Sequence, residues 1–437
     1  MKVFLDMVGC RLNQGEIESY ARQFRFAGHT LTCDAESADL IVINTCTVTA
    51  AAASDSRQKI RQAARTSASQ IIVTGCSATL NPQEITLLPG VTQVISNLEK
   101  DNLVPLVLNV PISVFDHTSI RREPIPGSRL RTRAFIKAQD GCDNHCTYCV
   151  TKLARGASKS RTINDILAEI LSALEGGSQE VVLTGVHLGS WGYDFAQPSR
   201  LYSLVRAILD DTNVPRIRLS SLEPSDISPD FFELWQDSRL CRHLHLPLQS
   251  GSANTLKRMG RKDTPDTYSN LIHQARLAIP GVAITTDIIT GFPGETEAEF
   301  SKSAEFVREM SFANGHVFTF SVRPGTAAEN LPDKIPASVA KQRNTIMRQI
   351  LLQSASEYRE KHLNQDLHVL WEKAIAINDH QWQLSGLSDN YLRVRASFSS
   401  SCRNQMMDVH IASVEPDGLV GEIPSKYFRG STKEDTI

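Results

Sequence analysis

Short apolar runs alternate with amphipathic stretches through residues 1–110. KVFLDMVG (2–9), ADLIVINT (38–45) and QIIVTG (70–75) read as strands, the last two of the continuously apolar kind that is covered on both faces. Asn13, with Glu16 three positions on, predicts a capping box opening a helix whose Ile17, Tyr20, Ala21 and Phe24 share one face and which Gly28 ends. The Ala-rich stretch 49–65 predicts a second helix. Strands and helices in alternation imply an open parallel α/β domain. Residues 111–133, rich in Pro and Arg, read as a linker.

Beyond the linker, six strand-like segments follow one another: RAFIKAQ, EVVLTGV, IRLSSLE, HLHLPLQ, VAITTDIITG and HVFTFSV, each but the last trailed by a helical pattern. Six repeats predict a partial (βα)6 barrel in place of the closed eight-fold form. Within it Thr162 predicts an N-cap, and Gly176 with Gly177 a stop, for a helix carrying Ile163, Ile166, Leu167, Ile170, Leu171 and Leu174. A long helix is expected over 337–363, closing a central domain of 134–363. Period-two alternation in LHVLWEKAIA, YLRVRA and MDVHIASVEPDGLVGEI then predicts a small β-barrel over 364–427, leaving 428–437 as a tail. The fold class is therefore α/β with an added β-barrel.

Composition changes this picture little. With 437 residues, 41% hydrophobic and a net charge of -2, the chain has the make-up of an ordinary globular protein and no global charge that names a partner. Neither a signal-peptide pattern nor an apolar run of about 18 residues is evident, so a cytoplasmic protein with no membrane partner is expected. Nine cysteines are more informative. A reducing compartment argues against a disulfide framework and for metal or catalysis. Cys33, Cys241 and Cys402 have no partner pattern and read as plain thiols.

Cys142, Cys146 and Cys149 are spaced C-x3-C-x2-C, which does not suit the four closed ligands of structural zinc. Three thiolates in one loop can hold three irons of a four-iron, four-sulfur cube and leave the fourth open. Cys10, Cys46 and Cys76 are scattered, yet each directly follows a predicted strand. Strand ends of an open parallel sheet share one edge, so these three could converge as well. Ordinary buried thiols near strand ends would give the same placement.

The first trio, after the first strand of a six-unit barrel and with Tyr148 before its last cysteine, resembles the radical S-adenosylmethionine (SAM) superfamily. GCRLNQGEIES, NTCTVT and VTGCSA resemble the N-terminal signature of the methylthiotransferases within it. The resemblance implies two 4Fe-4S clusters and SAM as cofactors. The reducing cluster would lie on Cys142, Cys146 and Cys149, and an auxiliary cluster on Cys10, Cys46 and Cys76. It also implies SAM contacts at strand ends, for which Thr184, Gly185, Ser221, Glu223, Gln249, Ser250 and Gly291 are the positioned candidates beside Tyr148. No residue is singled out as an acid–base catalyst. DGCDNHCTYC with Asp140, LARGASKSR, LTGVHLGSWGYD, RLSSLEP and HLHLPLQSGS most resemble the group that modifies N6-threonylcarbamoyladenosine at tRNA position 37. Sibling groups act on N6-isopentenyladenosine 37 or on a ribosomal-protein aspartate. One departure is visible: Thr151-Lys152-Leu153-Ala154 stand where relatives commonly carry a proline before Arg155-Gly156.

The implied partners are the tRNA anticodon loop, an electron donor such as flavodoxin or ferredoxin, and a sulfur donor. Residues 121–161 hold ten Lys or Arg (Arg121, Arg122, Arg129, Arg131, Arg133, Lys137, Lys152, Arg155, Lys159 and Arg161) against three acids, an excess suited to phosphates or to a solvated linker. The C-terminal barrel resembles the RNA-binding TRAM module, best in GLSDNYLRV. Residues 362–422 nevertheless hold four basic and eight acidic residues, which points to shape and polar contacts there.

Overall fold

The computed structural model describes residues 1–66, 68, 70–115, 123, 125 and 132–427. The first region runs β1 (Lys2–Met7), α1 (Arg11–Phe26), β2 (Thr30–Leu31), β3 (Leu40–Thr45), α2 (Ala50–Ala63), β4 (Gln70–Gly75), α3 (Cys76–Leu80), α4 (Pro82–Thr86), β5 (Val91–Ile95) and α5 (Leu103–Leu108). Its five strands pair in parallel in the order β2-β1-β3-β4-β5. The strand order reverses between β1 and β3, the switch point at which doubly wound sheets bind ligands. β3 is buried at every position, its apolar residues 40–43 and also the polar Asn44 and Thr45 at its end.

The expected capping box at Asn13 does not form. α1 starts three residues earlier, at Arg11, after an extended Cys10 with no side-chain cap. The Asn13 amide instead donates to the carbonyls of Val8 at 2.8 Å and Thr45 at 3.2 Å, tying the β1 and β3 ends together. Glu16 is drawn into ion pairs with Lys100 and Arg155. Tertiary partners outbid the local cap.

The second region comprises β6 (Arg133–Lys137), β7 (Gln139–Asp140), α6 (Thr151–Arg155), β8 (Lys159–Ser160), α7 (Ile163–Glu175), β9 (Glu180–Thr184), α8 (Leu201–Asp211), β10 (Ile217–Leu219), β11 (His243–His245), α9 (Ala253–Arg258), α10 (Pro265–Ala278), β12 (Ala283–Thr290), α11 (Glu297–Met310), β13 (Asn314–Thr319) and α12 (Ala337–Glu360). β6, β9 and β10 form one parallel sheet and β11, β12 and β13 another, joined through the parallel bridge Ile217 to Leu240. The result is an open six-stranded barrel. Thr162 caps α7 by accepting from the Asp165 amide, and Gly176 with Gly177 ends it. After β10 the expected helix is replaced by 3-10 turns, Pro224–Asp226 and Pro229–Gln236, since two prolines so close favour short tight turns.

β14 (Asp366–Asn378), β15 (Gln381–Ser388), β16 (Arg393–Phe398), β17 (Met406–Glu415) and β18 (Gly418–Glu422) close a small barrel in the order β14-β15-β16-β18-β17. Its core includes Ala283 and Ala313 of the central region, so the two share a packed interface. Glu180, at the start of β9, is fully buried against Arg216 and Arg218; these guanidiniums also donate to the carbonyls of Leu387, Ser388 and Asp389. The turn after β15 thereby plugs the floor of the open barrel.

On the other flank, α1 lies on β6 so closely that a Cβ on Gly15 would stand 2.9 Å from the Phe135 carbonyl oxygen. Lys100 and Arg155 each pair with both Glu16 and Asp140 at 2.5–3.1 Å in a buried network joining the first two regions. Most of the expected linker, including Arg121, Arg122, Arg129 and Arg131, and the tail at 428–437 lie outside the described residues.

Candidate functional site

Cys10 follows β1, Cys46 follows β3 and Cys76 opens α3 after β4. All three line one cavity of about 480 Å³ with Thr184, Gly185, Ser220, Ser221, His243, His245, Thr285, Asp287, His316, Phe318 and Tyr391, which point inward from the central barrel and the plug. Gly9 makes the approach possible. Its φ of 113° and the place its Cβ would take, 2.6 Å from the Cys46 Cβ, require glycine there. The Asn97 amide donates to the Cys76 sulfur at 3.6 Å.

Cys10 is open to the cavity but otherwise ringed by protein, and burial pushes its thiol up against the opposing pull of Arg155. Burial likewise pushes Cys46 up to about 11. Thiols held so high are poor nucleophiles at neutral pH, whereas a coordinated metal displaces the proton outright. Among the described residues no three His, Cys, Asp or Glu side chains gather tightly enough for one ion. Three thiols facing one cavity fit a four-iron, four-sulfur cube, which takes each thiolate on a separate iron.

Cys142, Cys146 and Cys149 lie in the loop between β7 and α6. Gly141, at φ 69°, turns the chain into that loop where a Cβ would sit 1.9 Å from the Ala157 carbonyl oxygen. The Cys142 amide donates to the Gly156 carbonyl and the Thr151 amide donates to the Cys149 sulfur at 3.4 Å. Burial raises the Cys146 and Cys149 thiols, opposed by Arg261 at Cys146 and by Thr151 at Cys149. Arg261 pairs with Glu223 at 2.5 Å. His187 stands between Asp226, 2.5 Å away, and Cys142; burial would lower it, but those two partners hold it at about 10.

A family model described as "Radical SAM superfamily" matches residues 136–307, and another described as "Uncharacterized protein family UPF0004" matches residues 2–96. The chain is 35% identical over 402 residues to "Threonylcarbamoyladenosine tRNA methylthiotransferase MtaB" of Bacillus subtilis (strain 168), covering 89% of this chain and 88% of that protein. The chain belongs to the radical SAM methylthiotransferase family. It is 33% identical to the MtaB of Thermotoga maritima, over 97% of this chain and 99% of that one. It is also 31% identical to "tRNA-2-methylthio-N(6)-dimethylallyladenosine synthase" of Trichlorobacter lovleyi, over 97% and 99%. Among solved structures, the radical S-adenosylmethionine methyltransferase TsrM of Kitasatospora setae shares the fold, with a TM-score of 0.54 at 15% identity over 75% of this chain and 77% of that one. This methylthiotransferase is an enzyme whose cofactors are SAM and 4Fe-4S clusters.

The candidate SAM contacts fall in two groups. Thr184, Gly185 and Ser221 line the cavity, and Glu223 stands beside the second cysteine loop through Arg261. Tyr148 packs edge-on against Phe292, Gln249 bridges to Ile288, Ser250 is fully buried and Gly291 packs against Ala340 of α12; these four do not contribute to the cavity wall.

Several cavity residues went unread in the sequence. His245 pairs with Asp287 at 3.3 Å and hydrogen-bonds Thr285, which also meets His243. Ser220 Oγ, His243 Nδ1 and Asp287 Oδ1 are buried with no protein partner, a pattern that points to a ligand in a methylthiotransferase cavity. Phe318, 40% exposed, and His316 stand at the rim. Short polar residues alternating along β11 and β12 were the available signal, since they sit where a barrel interior is normally apolar.

Of the ten basic residues in 121–161, six are described, and most of these six are turned to internal partners. Arg133 pairs with Glu372, Lys137 with Asp101, Arg155 with Glu16 and Arg161 with Glu169, so four of the six described cations serve the fold. Lys152 and Lys159 form no ion pair with a carboxylate among the described residues.

Proposed function

We propose that this enzyme adds a methylthio group to C2 of N6-threonylcarbamoyladenosine at position 37 of tRNA. The observation that carries the reading is one cavity joining the Cys10, Cys46 and Cys76 triad to the barrel interior beside the Cys142 loop, with unpaired polar atoms along its wall. Cys142, Cys146 and Cys149 would hold the reducing cluster, and Cys10, Cys46 and Cys76 the auxiliary one. When bound, these groups supply the electron that cleaves SAM and the sulfur that is methylated and transferred.

The chain's own part is to bind and orient. A cavity of about 480 Å³ lies in the range that admits a small-molecule-sized group such as a modified base. An anticodon-loop base can be splayed out without melting a duplex, and Phe318 with His316 offers rings to stack on. Ser220 Oγ, His243 Nδ1 and Asp287 Oδ1 then offer hydrogen bonds to its polar edge. Strand ends around Thr184, Ser221 and Glu223 would hold SAM, and the β15 turn closes the floor against water. A flavodoxin- or ferredoxin-like donor and a separate sulfur source complete the scheme.

Mass spectrometry of tRNA nucleosides from cells lacking the protein tests the reading. Loss of the 2-methylthio form of threonylcarbamoyladenosine alone supports it. Loss of the dimethylallyl counterpart moves the enzyme to the sibling activity, and an unmodified ribosomal-protein aspartate moves it to the protein-modifying one.

A further inference from the structure

Two side chains of permanent positive charge line the cavity, Arg11 and Arg155. Arg155 is committed: it pairs with Glu16 and Asp140 and donates to Asn13. Arg11 has no carboxylate partner among the described residues. Its Nη2 donates to the Tyr391 hydroxyl at 2.5 Å, and its guanidinium lies 5.5 Å from the centre of that ring.

Tyr391 is itself fixed. Its backbone sits in the left-handed region at φ 67°, and its ring stacks on His243 at 4.2 Å and 11°. Arg218, locked to Glu180, lies 5.1 Å from the same ring. A residue of the C-terminal barrel thus holds Arg11 in place inside the catalytic cavity. Arg11 bears electrostatically on His243, deep in the barrel, while Arg155 is the cation that acts on Cys10. Of the three cavity histidines, burial holds His243 neutral, His245 is paired with Asp287, and His316 stands exposed at the rim. Arg323 bears on Cys46 but is not part of the wall.

Resting on the substrate assigned above, we propose that Arg11 is the specificity-determining residue that reads the carboxylate at the end of the threonylcarbamoyl substituent. A guanidinium fork matches a carboxylate in two parallel hydrogen bonds, and a charge-assisted pair out of water is about twice as strong as a neutral one. The same group disfavours an apolar N6-substituent, which would leave the guanidinium desolvated and unpaired. One side chain both attracts the anionic nucleoside and rejects the dimethylallyl one.

The test uses loaded, anaerobic enzyme and anticodon stem-loop RNAs carrying threonylcarbamoyladenosine, its methyl ester or dimethylallyladenosine at position 37. Wild type is expected to prefer the free acid over the ester by at least about tenfold in kcat/KM, expressed mainly in KM. Arg11→Gln should shrink that ratio to about two or less, and Arg11→Lys should restore part of it. Iron content and 5'-deoxyadenosine release are measured alongside, because a merely structural defect lowers turnover of acid and ester alike. Tyr391→Phe, which removes only the oxygen that accepts from Arg11 and keeps the ring and every cysteine, should lower the ratio too. An undiminished ratio in Arg11→Gln, or in Tyr391→Phe if the first variant fails to load iron, overturns the proposal. A wild-type ratio near one overturns it while leaving the substrate assignment intact; a wild type active only on dimethylallyladenosine overturns both.

Discussion

At the scale of single residues, the two triads make separable predictions because they lie in different regions of the chain, and only Cys10, Cys46 and Cys76 line the cavity. Cys46→Ala should leave SAM cleavage intact and abolish sulfur transfer, and its iron content after anaerobic reconstitution should fall from about eight to about four per chain. A variant that transfers sulfur at the wild-type rate would remove the auxiliary triad from the scheme. Phe318 is partly exposed at the rim, where burying a ring serves no packing purpose of the chain itself. Phe318→Ala should therefore raise KM for the RNA by a factor that matches the loss of one base–aromatic stack, about 1–3 kcal/mol, with SAM cleavage in the absence of RNA unchanged. Equal KM in wild type and variant would show that the base stacks elsewhere. The cysteines were legible because a strand followed at once by Cys is a local pattern that topology then gathers. Arg11, Tyr391 and Asp287 were not, since each acquires its role only when three regions meet: Arg11 stood one position from a recognised cysteine, and Tyr391 inside a stretch read only as part of a distant β-barrel.

At the scale of elements, apolar periodicity located all six central strands and the long C-terminal helix, while the start of α1 and the turns after β10 escaped it. The two misses differ in cause: Asn13 and Glu16 answer to partners far along the chain, whereas Pro224 and Pro229 impose tight turns locally. The contact of α1 with the central region carries a pH signature. Glu169 on α7 is buried between Arg22 of α1 and Arg161. Burial would raise its carboxyl, but the two guanidiniums outweigh that and hold it at about 2, against 4.5 for the free group. A depressed carboxylate stabilises the fold fully above pH 4.5 and loses its contribution as pH falls from there towards 2. The stability difference between wild type and Glu169→Gln should thus be constant from pH 7 to about 5 and shrink below it, measured by urea unfolding of both proteins in parallel. Acid lability of the clusters is common to both and cancels. A difference independent of pH down to about 3 would mean that Glu169 is not held by those arginines.

At the scale of the whole molecule, the C-terminal barrel is built into the catalytic region as its floor. Its acidic composition argues against a simple grip on phosphate, and its contacts give it a different part to play. The carbonyls of Leu387, Ser388 and Asp389 complete the hydrogen bonding of Arg216 and Arg218, and Asp389 pairs with Arg242. Glu180 sits at the centre with no exposure at all, so its charge depends on both arginines. Removing one partner from such a group typically costs about 3–5 kcal/mol, because the remaining charge stays buried and uncompensated. Arg218→Met keeps much of the side-chain volume and removes the charge, the bonds to the turn and the contact behind Tyr391. The variant should melt earlier, and its 5'-deoxyadenosine release without any RNA should drop, since the loosened floor borders the cavity near His243. A module attached only to hold tRNA would behave differently, with RNA affinity falling while SAM cleavage in its absence stayed at the wild-type rate. That second outcome would separate the C-terminal barrel from the reaction chamber and return it to the role its sequence first implied.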